Sequence, residues 1–82
     1  MKLRPELFGV AERNMIADAL LAAGCHKAKG LTRDQVVARL GEWNLECVAS
    51  ALDKYEGTHR DPTLFKLQEK VTNVLLGKVK FV

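Results

Sequence analysis

Aromatic residues are scarce in this 82-residue chain, with one Trp, one Tyr and three Phe making 6% of the total. A core must therefore be assembled mainly from Leu, Val, Ile and Ala. Cysteine is also sparse, and Cys25 and Cys47 are the whole supply. Small secreted domains usually carry more. Two reduced thiols are the favoured reading, and a Cys25–Cys47 bridge is the alternative. No apolar run approaches the ~20 residues that a bilayer-spanning helix needs. The start, Met1-Lys2-Leu3-Arg4-Pro5, has no apolar stretch of the signal-peptide kind. These absences point to a cytoplasmic protein without a membrane partner.

Hydrophobic residues supply 48% and charged residues 28% of the chain, the balance of a globular protein. There is no repeat, low-complexity tract or linker, so residues 1–82 read as one helical domain. A chain of this length has a stability of roughly 4–12 kcal/mol on the usual per-residue scale.

Glycines divide the chain into four helical segments, at about 11–23, 32–40, 44–56 and 61–76. In the first, Met15, Ile16, Ala19, Leu20 and Ala23 recur at helical spacing, and Gly24 stands where a left-handed cap needs it. Pro5 and Glu6 can open an extra turn before it, and Gly9 argues against a continuous helix from there. The second starts at Thr32, with Gln35 three residues on, the pattern of a capping box. Leu31 and Val36 occupy the positions of a hydrophobic staple, Val36, Val37 and Leu40 face inward, and Gly41 ends the element. Asn44 is the N-cap expected for the third, with Trp43 and Val48 at staple positions. Its stripe is Val48, Ala51, Leu52 and Tyr55, closed by Gly57. Asp61-Pro62 opens the fourth, an N-cap followed by proline at the first helical position. Leu64, Leu67, Val71, Val74 and Leu75 form its stripe. The tail Lys78-Val79-Lys80-Phe81-Val82 alternates polar and apolar and suggests either a short strand paired with residues near 7–10 or a packed extension. The fold class expected is all-α: a compact bundle of four short helices with a short terminal strand pair.

The centre of this arrangement resembles a helix-turn-helix. Leu31 to Gly41 gives one short helix, Asn44 to Glu56 the next, and Ile16 to Gly24 looks like the helix that supports such a motif in winged-helix regulators. A tight turn puts Glu42 and Ser50 where the motif wants apolar residues. A turn one residue longer puts Trp43 and Ala51 there instead. The resemblance implies DNA reading through Asn44, with help from Arg33. Charge argues the other way. Residues 31–57 hold Arg33, Arg39 and Lys54 against Asp34, Glu42, Glu46, Asp53 and Glu56, a net charge of −2. Residues 1–30 carry +2 and residues 58–82 carry +3. Phosphates reward Lys and Arg, and the nominated helix has few of them.

Cys25, His26, Cys47 and His59 lack the spacing of a zinc site, since Cys25-His26 is an adjacent pair and no C-x-x-C occurs. No Gly-rich phosphate loop is present, and no nucleophile–base pair stands out. Neither a catalytic residue, a metal nor a cofactor is therefore expected, and the chain does not read as an enzyme. The leading expectation is a small protein-interaction module, an adaptor or an inhibitor of a larger assembly. A helix-turn-helix DNA-binding regulator, or a subunit of one, is the alternative. Partner-binding candidates are Trp43, Glu42, Glu46 and Phe81, with Tyr55 and Phe65 as further aromatic anchors. Basic candidates for an acidic protein or nucleic acid are Lys27, Lys29 and Arg33, and Lys66, Lys70, Lys78 and Lys80. Trp43 or the Phe81 tail would also serve in a homo-oligomer.

Overall fold

A computed structural model describes residues 2–77. A 3-10 turn over Pro5–Leu7 leads into α1 (Val10–Ala22), and a second over His26–Ala28 precedes α2 (Arg33–Ala38). A third 3-10 turn, Leu40–Glu42, connects α2 to α3 (Leu45–Glu56), and α4 (Pro62–Leu75) ends the described chain. The fold is mostly helical and has no strands among the described residues. Its Cα radius of gyration is 11.6 Å, close to the roughly 12 Å of a compact chain of this length.

Helix α1 is the hub. It packs against α2, α3 and α4, and α3 packs in turn against α4. Its sequence reflects this, because Ile16, Ala17, Ala19 and Leu20 are buried and Met15, Leu21 and Ala23 pack on the core from its flanks. A helix enclosed on several sides needs apolar residues around much of its circumference. The other helices each bury one stripe: Val36 in α2, Leu45, Val48, Ala51 and Leu52 in α3, and Leu64, Leu67, Val71 and Val74 in α4. Leu3, Phe8, Leu40 and Trp43 complete the same core from the connecting segments.

Local chemistry sets the helix ends. At α2 the capping box forms in full: Gln35 N–H donates to Thr32 Oγ1 at 3.3 Å, and Thr32 N–H donates to Gln35 Oε1 at 2.9 Å. At α4 the Asp61 carboxylate accepts from Thr63 N–H at 2.8 Å, with Pro62 in the first turn. Helix α1 ends on Gly24, whose φ of +69° is the left-handed conformation that a Cβ would strain. The helix α2 itself stops at Ala38, short of Gly41. Arg39 leaves the helical region and Leu40–Glu42 continues as a 3-10 turn, which still buries Leu40.

The N-terminal arm takes a different place from the one expected. Lys2 forms an isolated antiparallel bridge with Asn44, and Leu3 N–H donates to the Trp43 carbonyl at 2.9 Å. Residues 7–10 supply no strand, since Leu7 closes a 3-10 turn and Val10 opens α1. Their proposed partner, the tail 78–82, lies outside the described residues.

Candidate functional site

Of the three large hydrophobic residues exposed on the described surface, two lie on α4 and its C-cap. They are Phe65, 44% exposed, and Leu76, 64% exposed, and the third is Val10 at the start of α1. Eleven residues separate Phe65 from Leu76, three helical turns to within about 20°. Both therefore point along one line of α4, about 16 Å apart, with exposed Glu69 and Thr72 between them. Leu76 is the C-cap and keeps a helical backbone, so the line holds to its end.

A small cleft runs beside this line, where α4 meets α3. It has a volume of about 50 Å3 and is lined by Ala49, Leu52 and Asp53 of α3 and by Gln68, Val71 and Thr72 of α4. Leu52 and Val71 belong to the core, so the floor is apolar, while Asp53, Gln68 and Thr72 give a polar rim. At this rim Gln68 Nε2 approaches three acceptors: Asp53 Oδ1 at 3.2 Å, Glu56 Oε2 at 3.2 Å and the Leu52 carbonyl at 3.4 Å. On its other flank α4 is tied to the rest of the fold. Lys70 Nζ lies 3.1 Å from Glu12 Oε1 and 4.9 Å from the centre of the Phe8 ring.

Glu12 has a second duty. Its carboxylate also accepts from Gly9 N–H at 2.9 Å, closing the first turn of α1. Burial by itself would raise its pKa. The Gly9 N–H and the hydrogen bond and charge of Lys70 outweigh that and hold it below the ordinary carboxylate value.

The residues singled out by sequence do not converge. Trp43 is only 2% exposed, and its Nε1–H donates to Cys25 Sγ at 3.2 Å, so it is a core residue and not a surface anchor. Glu42 and Glu46 are exposed, one in the 3-10 turn before α3 and the other in its first turn. Asn44 takes the N-cap conformation, but its side chain caps nothing and the residue is held by its bridge to Lys2. Lys27 donates to the Glu42 carbonyl at 3.3 Å, and Arg33 lies 3.7 Å from Asp18 in a largely exposed ion pair. Lys29 and Lys66 are exposed. Lys70 is committed to Glu12, so Lys66 and Lys70 do not form a joint patch of unpaired cations. Phe81, Lys78 and Lys80 lie outside the described residues. Tyr55 is half-buried and stacks on His59 with ring centroids 4.0 Å apart.

Sequence reasoning named Phe65 but missed Leu76, Asp53, Glu56 and Gln68. The eleven-residue spacing of Phe65 and Leu76 was the available signal. The Gln68 contacts had none, because they join residues 12 to 16 positions apart across two helices.

Both cysteines are free thiols, with Cys25 half-buried and Cys47 exposed. Among the described residues no three His, Cys, Asp or Glu side chains gather as a metal would require. Among the same residues, no helix is long and apolar enough to cross a membrane. The chain matches no protein-family model, no curated protein and no solved structure.

Proposed function

We propose that this chain is a small protein-binding module, an adaptor or inhibitor within a larger assembly, that docks through the outer face of α3 and α4. The observation that carries the reading is the pair Phe65 and Leu76. Two large apolar side chains stand on one line of a helix whose opposite face already fills the core. Such a line, at the spacing of an interface seam, is what an amphipathic partner helix covers. The adjoining cleft adds a recess for one partner side chain, and polar Glu69 and Thr72 keep the free surface wet.

Capture from an extract of the native cell tests this, with nuclease-treated and untreated samples run side by side. Wild type is expected to retain a protein partner whether or not nuclease is added, and the double variant Phe65→Ser, Leu76→Ser is expected to lose it. A partner that disappears on nuclease treatment, or that the double variant holds equally well, contradicts the reading.

A DNA-binding role is the second reading. It is favoured by the way α1 carries both α2 and α3, and by the exposed Asn44 amide that caps nothing. The outer surface of α3 speaks against it, offering Glu46 and Asp53 to the phosphates and only Lys54 in return. Salt-dependent binding to duplex DNA that falls on Asn44→Ala and Arg33→Ala, with the fold intact, would establish this second reading over the first.

A further inference from the structure

We infer that the helix covering the Phe65–Leu76 line is α4 of a second copy of this chain, packed antiparallel about a two-fold axis between Glu69 and Thr72. This rests on the docking face proposed above and names its partner. Phe65, Glu69, Thr72 and Leu76 follow one another at spacings of four, three and four residues. That is the alternation of a coiled-coil seam, with Phe65 and Thr72 at one kind of seam position and Glu69 and Leu76 at the other. All four are exposed, while Leu64, Leu67, Val71 and Val74 of the same helix fill the core. Antiparallel pairing sets one kind of position against the other. Phe65 then meets Leu76 of the second copy, Glu69 meets its Thr72, and the two-fold axis repeats both contacts. Apolar side chains meet at the two ends. At the centre a threonine hydroxyl donates to a carboxylate, a hydrogen bond strengthened by charge.

The flanks fit the same register. Beside the seam Lys66 comes next to Asn73 of the second copy, and Gln68 comes next to its Leu75, so no like charges meet along the described length of α4. Gln68 holds Asp53 and Glu56 on the α3 side, and because it faces Leu75 rather than its own image the two sets of acids stay apart. Other registers lose these matches. Parallel pairing sets Glu69 against its own image in the middle of the seam. Sliding the antiparallel pair by one heptad sets Phe65 against Glu69, or Leu76 against Thr72. A single arrangement therefore satisfies the whole line, and in it the line is complementary to itself, as a two-fold contact requires. The seam offers only four side chains per copy, well short of the roughly 20–30 residues a side of a standard interface, so the dimer is weak, with a dissociation constant on the order of 100 µM.

The test is sedimentation equilibrium of the full chain from about 10 µM to about 1 mM, a range that brackets this constant. The mass is expected to rise from 9.1 kDa towards twice that value. Thr72→Lys sets an ammonium against Glu69 at two places across the axis and is expected to tighten the dimer about threefold. Thr72→Glu sets two pairs of carboxylates face to face and is expected to weaken it about tenfold. The double variant Phe65→Ser, Leu76→Ser is expected to stay monomeric. Melting profiles recorded at the lowest concentration check that each variant keeps the fold. A wild-type mass that holds at 9.1 kDa throughout overturns the second copy as partner. So does a dimer that persists in the double serine variant, since its contact then lies elsewhere. Weakening by Thr72→Lys is the mark of parallel pairing, which sets position 72 against itself, and overturns the antiparallel seam. The partner capture described above decides the docking face separately: a monomeric chain that still retains a different protein through Phe65 and Leu76 loses the dimer and keeps the face.

Discussion

At the scale of single residues, Glu12 joins three parts of the molecule. It satisfies the Gly9 N–H that opens α1, pairs with Lys70 of α4, and brings that ammonium close to Phe8. Because its pKa is lowered in the folded state, the native form binds the proton less readily than the unfolded chain does. The stabilisation it gives is therefore complete above the unfolded carboxylate value of about 4.3. It fades as pH falls from there and is gone below the folded pKa. Glu12→Gln is expected to flatten that part of the stability–pH curve while leaving the basic side unchanged, as read by chemical denaturation across a pH series. An equal acid slope in wild type and variant would remove Glu12 from this role. Trp43 shows why its environment was hard to read in advance. Staple positions and exposed anchors share a sequence appearance, and only the Cys25 sulfur and the Leu3 amide, from distant parts of the chain, decide between them.

At the scale of elements, the helix starts differ in what holds them. Thr32 makes both bonds of a capping box, whereas Asn44 has the right backbone and no side-chain cap. Thr32→Ala is expected to cost about 1 kcal/mol, a fall of about 4–8 °C in melting temperature for a domain of this size. Asn44→Ala is expected to cost only a few tenths of that, because the bridge to Lys2 is made by the backbone and survives the change. Thermal melts of the two variants side by side check the contrast, and equal losses would contradict it. Much of this level is legible in sequence, because caps and apolar periods are local. Thr32 with Gln35, Asp61-Pro62 and the stripe from Leu64 to Val74 sit where pattern reasoning places them. The early end of α2 is not legible, since Leu40 is buried equally well by a 3-10 turn as by another helical turn. Nor is the N-terminal arm, where a single bridging residue has no period to detect.

At the scale of the whole molecule, α1 organises the core and leaves α4 with a dressed inner face and an outer face that carries Phe65 and Leu76. The basic loop around Lys27 and Lys29, attractive by charge alone, has one lysine bonded to the Glu42 carbonyl and contains none of the three exposed large hydrophobics. The candidate surface therefore shifts from the charged segments to a pair of helices. That shift depends on which side chains the core leaves over, and a one-dimensional pattern does not contain it. Exposed apolar side chains contribute little to folding, so the proposed docking face can be altered without melting the fold.

The most direct measurement places a photoreactive phenylalanine analogue at position 65 in one preparation and at position 29 in another, followed by irradiation in the native cell extract. A discrete protein adduct from position 65, absent from position 29 and abolished by Leu76→Ser, is the predicted result. Adducts from position 29 with none from position 65, or cross-linking to nucleic acid, would contradict the assignment of the α3–α4 face.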